Sequence, residues 1–276
     1  MSRVLVTGAG SGLGRAIAAA YSADHQVLVT DVDATTGARV AAELNAEFLH
    51  LDVTDDSSWQ RARAWCEEHW GGLDILVNNA GVGAGGRIER IPMADWDWIW
   101  EINVKGVVRG CHTFVPLFKA QHSGHLVNVA SLAAIMNLPG MASYNVTKGA
   151  VLALSETLRH ELAPDGITTT VVCPGYFQTN LGDRSRTVDP AVGAVSEKLM
   201  ASSGISAADV ARQVVEAVAD KQFMVLTHPE GRESARLKRL DPDAFGAQVA
   251  QFWDRLRPAI EQQDSADRDS VEEGGS

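Results

Sequence analysis

Short runs of aliphatic and β-branched residues alternate with longer amphipathic stretches along most of the chain, and this alternation constrains the fold more than any other feature. The apolar runs at residues 4–7, 27–31, 47–51, 73–77, 125–130, 168–173 and 222–227 read as strands. Such near-continuous apolar runs suit strands of a parallel sheet buried on both faces. Stretches 13–23, 35–45 and 55–70 read as the first three helices, each followed within a few residues by a strand. The pattern predicts one α/β domain, a doubly wound seven-stranded parallel sheet with helices on both faces and right-handed crossovers.

The first strand runs into Thr7-Gly8-Ala9-Gly10-Ser11-Gly12-Leu13-Gly14 and then into a helix. A glycine turn at that place lets the backbone approach a pyrophosphate, whose charge meets amide N–H groups and the helix N-terminus. Asp31 closes the second strand, where a carboxylate can accept both hydroxyls of an adenosine ribose and repels a 2′-phosphate. Val32 follows it, and position 11 is Ser, so nothing basic there waits for that phosphate. These residues point to NAD over NADP. Asp31 also reads as a helix N-cap, a role compatible with holding a ribose.

Ser131 closes the fifth apolar run, and Tyr144 and Lys148 lie four apart on an expected helix, on one face. A phenol with its ordinary pKa near 10 is a poor base at neutral pH. An ammonium one turn away stabilises the phenolate, so Tyr144 can exchange a proton with an alcohol oxygen while Ser131 holds that oxygen. Such chemistry needs no metal. His112 and His125 lack partners at metal-ligand spacing.

With these motifs together, the chain resembles the short-chain dehydrogenase/reductase family, of a compact, NAD-preferring type, over about residues 3–230. Residues 7–14 are similar to the family's cofactor loop, with Gly8, Ser11, Gly12, Leu13 and Gly14 as contacts, and Asp31 falls at its NAD-selecting position. Asp52 and Val53 resemble the pair that contacts adenine. Asn79, Ala80 and Gly81, in Asn78-Asn79-Ala80-Gly81, resemble the motif beside the cofactor. Asn103 matches the asparagine that completes a tetrad with Ser131, Tyr144 and Lys148, and the resemblance implies that it holds a water in a proton relay through Lys148. Pro174, Gly175 and Thr179 match the segment that closes over the nicotinamide. The resemblance implies a Rossmann-type fold and a cofactor held also by Tyr144 and Lys148. It further implies pairing through helices at about 94–119 and 143–163 into homodimers or homotetramers. Ala133, Ala134, Met141, Tyr176 and Phe177 form the expected substrate wall, apolar enough for a lipophilic or aromatic alcohol or ketone.

Three domain segments are expected: a catalytic domain at 1–230 with a lid at about 183–205, a helical C-terminal extension at 231–260, and a disordered acidic tail at 261–276. The lid expectation rests on a polar stretch with Pro190 and Gly193, and on the functional habit of long irregular loops. The tail holds six acidic residues against Arg268. The net charge of −11 argues against nucleic-acid or anionic-membrane partners, and no apolar run is long enough to span a bilayer. The three cysteines, without a CxxC, read as core thiols in a reducing compartment, and the N-terminus lacks the pattern of a signal peptide. The expected location is therefore cytoplasmic.

Trp96, Trp98 and Trp100 read as core or interface residues, Gly83–Gly86 as a flexible surface turn in preference to a border of the substrate mouth, and Arg232, Arg236, Lys238 and Arg239 as a solvated helix face. The expected function is NAD(H)-dependent hydride transfer with a secondary alcohol or ketone. An NADP-dependent carbonyl reductase and a non-catalytic NAD sensor are the alternatives, the second opposed by the complete tetrad.

Overall fold

The computed structural model describes residues 1–178 and 185–273. Seven parallel strands form the sheet, in the order β3-β2-β1-β4-β6-β7-β9. They are β1 (Arg3–Thr7), β2 (Gln26–Asp31), β3 (Glu47–His50), β4 (Ile75–Asn78), β6 (Gly124–Val129), β7 (Ile167–Cys173) and β9 (Met224–Leu226). The expected fold class is borne out. Strand order reverses between β1 and β4, and the crevice outside the carboxyl ends of strands at such a reversal is where open α/β sheets bind ligands.

Strand periodicity sorts the core into two layers, because successive side chains point to opposite faces. Val4, Val6, Val27, Val29, Val77 and Val127 face α1 (Gly12–Ser22), α2 (Ala34–Leu44) and α9 (Ala207–Ala219). Leu5, Leu28, Leu76 and Leu126 face α3 (Asp56–Trp70), α5 (Gly106–Gln121) and α7 (Ala142–Glu161). Cys66, Cys111 and Cys173 lie in this second layer, and burial pushes each thiol up to about 12. They pack as small apolar groups.

Helix α4 (Met93–Trp100) joins α5 through one turn of π-helix at Glu101–Lys105. Such bulges recur at functional sites because they re-aim side chains, and this one carries Asn103.

The stretch expected to be irregular departs from that expectation. Arg186–Thr187 forms β8 beside β5 (Ala84–Gly85), and Pro190–Ala201 is a helix, α8. Pro190 sits in its first turn, where the missing N–H costs nothing. Residues 179–184, with Thr179, lie outside the described residues.

The chain ends in α10 (Pro229–Leu240) and α11 (Pro242–Glu273). The acidic tail expected to be disordered is thus helical to Glu273, because extending an existing helix is far easier than nucleating one. Among the described residues no helix is long and apolar enough to cross a membrane.

Candidate active site

The residues at the carboxyl ends of β1, β2, β4, β6 and β7 converge on a cavity of about 1330 Å³. At its base, the Gly8 φ is +63°, and a Cβ there would come within 2.9 Å of the Ala80 Cα. A Cβ on Gly14 would meet the Gly8 carbonyl oxygen at 2.3 Å. Loop and helix are therefore pressed together as only glycine allows, leaving backbone to line the floor. Ser11, Gly12 and Leu13 line it too.

The Thr7 hydroxyl accepts the N–H groups of Asn79 and Ala80, both at 3.0 Å, and donates to the Val77 carbonyl. The Asn79 amide donates to the Thr7 carbonyl at 2.8 Å. These bonds hold Asn79-Ala80-Gly81 beside the glycine loop. Thr7 is a functional residue missed in the sequence.

Asp31 is buried, and its carboxylate accepts the N–H of Gly10 at 2.8 Å and of Asp33 at 2.9 Å. The N-cap of α2 is Asp33, which accepts the N–H groups of Thr35 and Thr36, so the capping alternative for Asp31 fails. Asp31, Asp52 and Val53 line one end of the cavity. Asp52 is itself held by the N–H and hydroxyl of Thr54.

At the other end, Tyr144 and Lys148 leave α7 on one face, toward Ser131 just beyond β6. Burial raises the Tyr144 phenol to about 12, while its hydrogen bond to Ser131 pulls the other way. Burial lowers the Lys148 ammonium to about 8. Lys148 Nζ donates to the Val129 carbonyl at 3.0 Å and lies 5.8 Å from the Tyr144 ring centroid. Desolvation of the phenolate, and not the Lys148 ammonium of the expectation, therefore sets the phenol.

Asn103 is buried behind Gly81 and does not line the cavity. Its oxygen accepts the Val82 N–H, and its amide hydrogens go to the Val82 carbonyl and the Thr147 hydroxyl. Both hydrogens are engaged, so the side chain braces the loop.

Ala133, Met141, Tyr176 and Phe177 all reach the cavity, as do Pro174 and Gly175, whereas Ala134 does not. Phe177 belongs mostly to the core beside α9. Trp98, expected in the core or an interface, also lines the cavity, with the Arg186 guanidinium 4.1 Å over its ring. Gly83–Gly86 is no flexible turn. It lines the cavity through Gly83–Gly85, and Asp189, fully buried, accepts the Arg87 N–H and pairs with Arg87 and Arg90 to tie this loop to α8.

Lys238, expected on a solvated face, donates to the Ile135 carbonyl and holds α10 to the short helix α6 (Ala133–Met136). His125 is buried with Nε2 2.8 Å from the Thr170 hydroxyl, and burial lowers it to about 4. Among the described residues no group of His, Cys, Asp or Glu could hold a metal.

A family model described as short chain dehydrogenase matches residues 2–189. The chain belongs to the short-chain dehydrogenase family. A probable oxidoreductase of Mycobacterium tuberculosis, EphD, is 34% identical over 259 residues, which cover 88% of this chain. The matched part is 43% of that relative, so the chain spans less than half its length. The 2-(R)-hydroxypropyl-CoM dehydrogenase of Xanthobacter autotrophicus is 36% identical over 65% of this chain and 76% of its own. Among solved structures, a short chain dehydrogenase/reductase from Burkholderia phymatum in complex with NAD superposes with a TM-score of 0.83. It shares 32% identity and covers 88% of this chain and 94% of its own. Members of the short-chain dehydrogenase family are oxidoreductases that bind a nicotinamide cofactor and act on small molecules.

Proposed function

We propose that this short-chain dehydrogenase is an NAD(H)-dependent enzyme acting on a secondary alcohol or ketone, with Tyr144 as its acid–base catalyst. The observation that carries the reading is that Ser131, Tyr144 and Lys148 line the same cavity as Asp31 and the glycine floor. The floor fits a dinucleotide, since Gly8 and Gly14 let the loop close against Ala80 and the start of α1, so that backbone and not side chain faces a pyrophosphate. Gly8, Ser11–Gly14, Asn79–Gly81, Pro174 and Gly175 hold the cofactor along its length, with Asp52 and Val53 at the adenine and Thr179 at the nicotinamide. Asp31 holds the adenosine ribose, and its charge disfavours a 2′-phosphate.

When bound, NAD(H) supplies or accepts the hydride. Everything else is done by the chain. The Ser131 hydroxyl holds the substrate oxygen beside the Tyr144 hydroxyl. In reduction Tyr144 gives its proton to the carbonyl oxygen, a role for which its burial-raised pKa keeps it protonated. In oxidation Tyr144 takes the proton from the alcohol, and the Lys148 charge then stabilises the phenolate against desolvation. Lys148 also binds the nicotinamide ribose. Asn103 sets the height of Gly81 and Val82 and so keeps the floor beside Lys148 in place.

The substrate end is walled by Trp98, Ala133, Met141, Tyr176 and Phe177 and by α8, which suits a lipophilic or aromatic carbon skeleton. The EphD and hydroxypropyl-CoM relatives are named an oxidoreductase and a dehydrogenase, and the Burkholderia structure holds NAD, which supports the same reading. The division into a catalytic domain at 1–230, an extension at 231–260 and a tail at 261–276, a cytoplasmic location and a homodimer or homotetramer belong to the same proposal.

A panel of secondary alcohols and ketones read by NADH absorbance tests it, with both cofactors titrated against the wild type and Asp31→Ala. Turnover is expected with NAD(H), with NADPH gaining on NADH in Asp31→Ala. Tighter binding of NADPH by the wild type overturns the cofactor assignment, and no turnover across a broad panel favours a sensor.

A further inference from the structure

Between β9 and α10 lie Thr227 and His228, both buried, and neither lines the cavity. Nδ1 of His228 accepts the Gly175 N–H at 3.1 Å, and Nε2 lies 2.8 Å from the Tyr176 carbonyl oxygen. A carbonyl only accepts, so Nε2 carries the hydrogen. A backbone N–H only donates, so Nδ1 is bare. The Thr227 hydroxyl, 2.8 Å from Nδ1, is then a second donor to it. The ring is therefore neutral, in the Nε2–H form, and one side chain meets two backbone groups of the same turn.

Its fit to that turn is also steric. A Cβ at Gly175 would come within 2.9 Å of the His228 ring carbon Cγ, so the ring lies flush against glycine backbone. On the other side of the turn the Pro174 carbonyl accepts the Leu132 N–H at 2.7 Å and the Ser131 hydroxyl at 3.4 Å. The turn is thus clamped between His228 and Ser131, and Ser131 lines the cavity together with Tyr144.

We infer that His228 is a positioning residue, which sets the Pro174-Gly175-Tyr176 turn against Ser131 and through it aligns the substrate oxygen with Tyr144. The inference rests on the oxidoreductase reading for its kinetic consequence, though the clamp itself does not. A core histidine that merely fills space needs neither matched bond. His228→Phe keeps a ring of similar size and removes both nitrogens.

The test combines the imidazole ¹⁵N spectrum and Gly175 amide exchange of the full chain with kinetics of His228→Phe. The unaltered protein is expected to show the neutral Nε2–H form and a protected Gly175 amide. In His228→Phe that amide exchanges about tenfold faster or more, as the loss of one hydrogen bond implies. Turnover falls about 10- to 100-fold, the scale of a misplaced reacting group, and by a larger factor than NADH affinity, to which Pro174 and Gly175 also contribute. An Nδ1–H form, or unchanged Gly175 exchange in the variant, overturns the clamp. Turnover retained in the variant, or turnover and NADH affinity lost by one common factor, overturns the positioning role. If the unaltered chain turns over no alcohol or ketone, the oxidoreductase reading fails, and the ¹⁵N and exchange data still decide the clamp.

Discussion

The side chain of Asn103 pairs with the backbone of Val82 as a neighbouring strand does, accepting its N–H at 2.8 Å and donating to its carbonyl at 2.9 Å. The π-turn at Glu101–Lys105 presents this amide to a loop that has no strand beside it there. Gly81, one residue earlier, would carry a Cβ 3.1 Å from the Asn103 oxygen and 3.4 Å from Lys148 Nζ. The glycine floor, the Asn103 brace and Lys148 therefore meet at one glycine.

Asn103→Leu keeps the branched shape and loses the two bonds to Val82, leaving two backbone groups unmet in a buried place. The cost is about 2–4 kcal/mol, which lowers the melting temperature by roughly 5–12 °C in a domain of this size. Thermal unfolding checks it. An unchanged melting temperature contradicts the brace.

Lys148 is the second case, and its sign is opposite. The unfolded chain keeps this proton up to the ordinary value of 10.5, the folded chain only up to about 8. Between those values the unfolded state binds more protons, so stability rises with pH across that window. Below it the buried ammonium carries its full cost. Lys148→Met is expected to be inactive yet more stable at pH 7, by about 1–2 kcal/mol after the loss of the bond to Val129. The gap closes as pH rises from 8 to 10.5. Melting temperatures across that range decide it, and a variant no more stable than wild type at pH 7 contradicts the burial cost.

What was legible in the sequence was local. The glycine loop declares itself because its constraint is steric and lies within a few residues of backbone. Tyr144 and Lys148 declare themselves because helix geometry puts positions four apart on one face. Trp98 could not be placed, since three tryptophans at spacing two look alike until the packing of α4 selects one for the cavity. His228 gave no signal, because its partners lie more than 50 residues away in sequence. Asp189-Pro190 carries a helix-start signal, but the polar composition of 183–205 hides it, because the apolar face of α8 meets the C-terminal helix and not the sheet. The acidic tail was judged by composition, which says nothing of a helix propagating into it.

That C-terminal helix gives the third prediction. Val192 of α8 is buried against Leu256 and Ile260 of α11 and fits the space left by Gly85 and Gly140, with Trp253 also close to Gly140. The extension thus backs the wall of the cavity that α8 supplies. Leu256→Ala loosens α8 by about 2–4 kcal/mol of lost packing. Substrate KM is expected to rise about tenfold, the equivalent of 1.4 kcal/mol, with NADH affinity within about twofold of wild type. Steady-state kinetics beside NADH titration check this. Equal losses in both affinities contradict it.

The most direct measurement is the turnover of Tyr144→Phe alongside its NADH affinity. The variant removes one oxygen atom from a buried ring that lines the cavity with Ser131. Turnover is expected to fall by about 10²- to 10⁴-fold, the usual worth of an acid–base group, while NADH binds within about twofold of wild type. A Tyr144→Phe enzyme that turns over at the wild-type rate contradicts the mechanism outright.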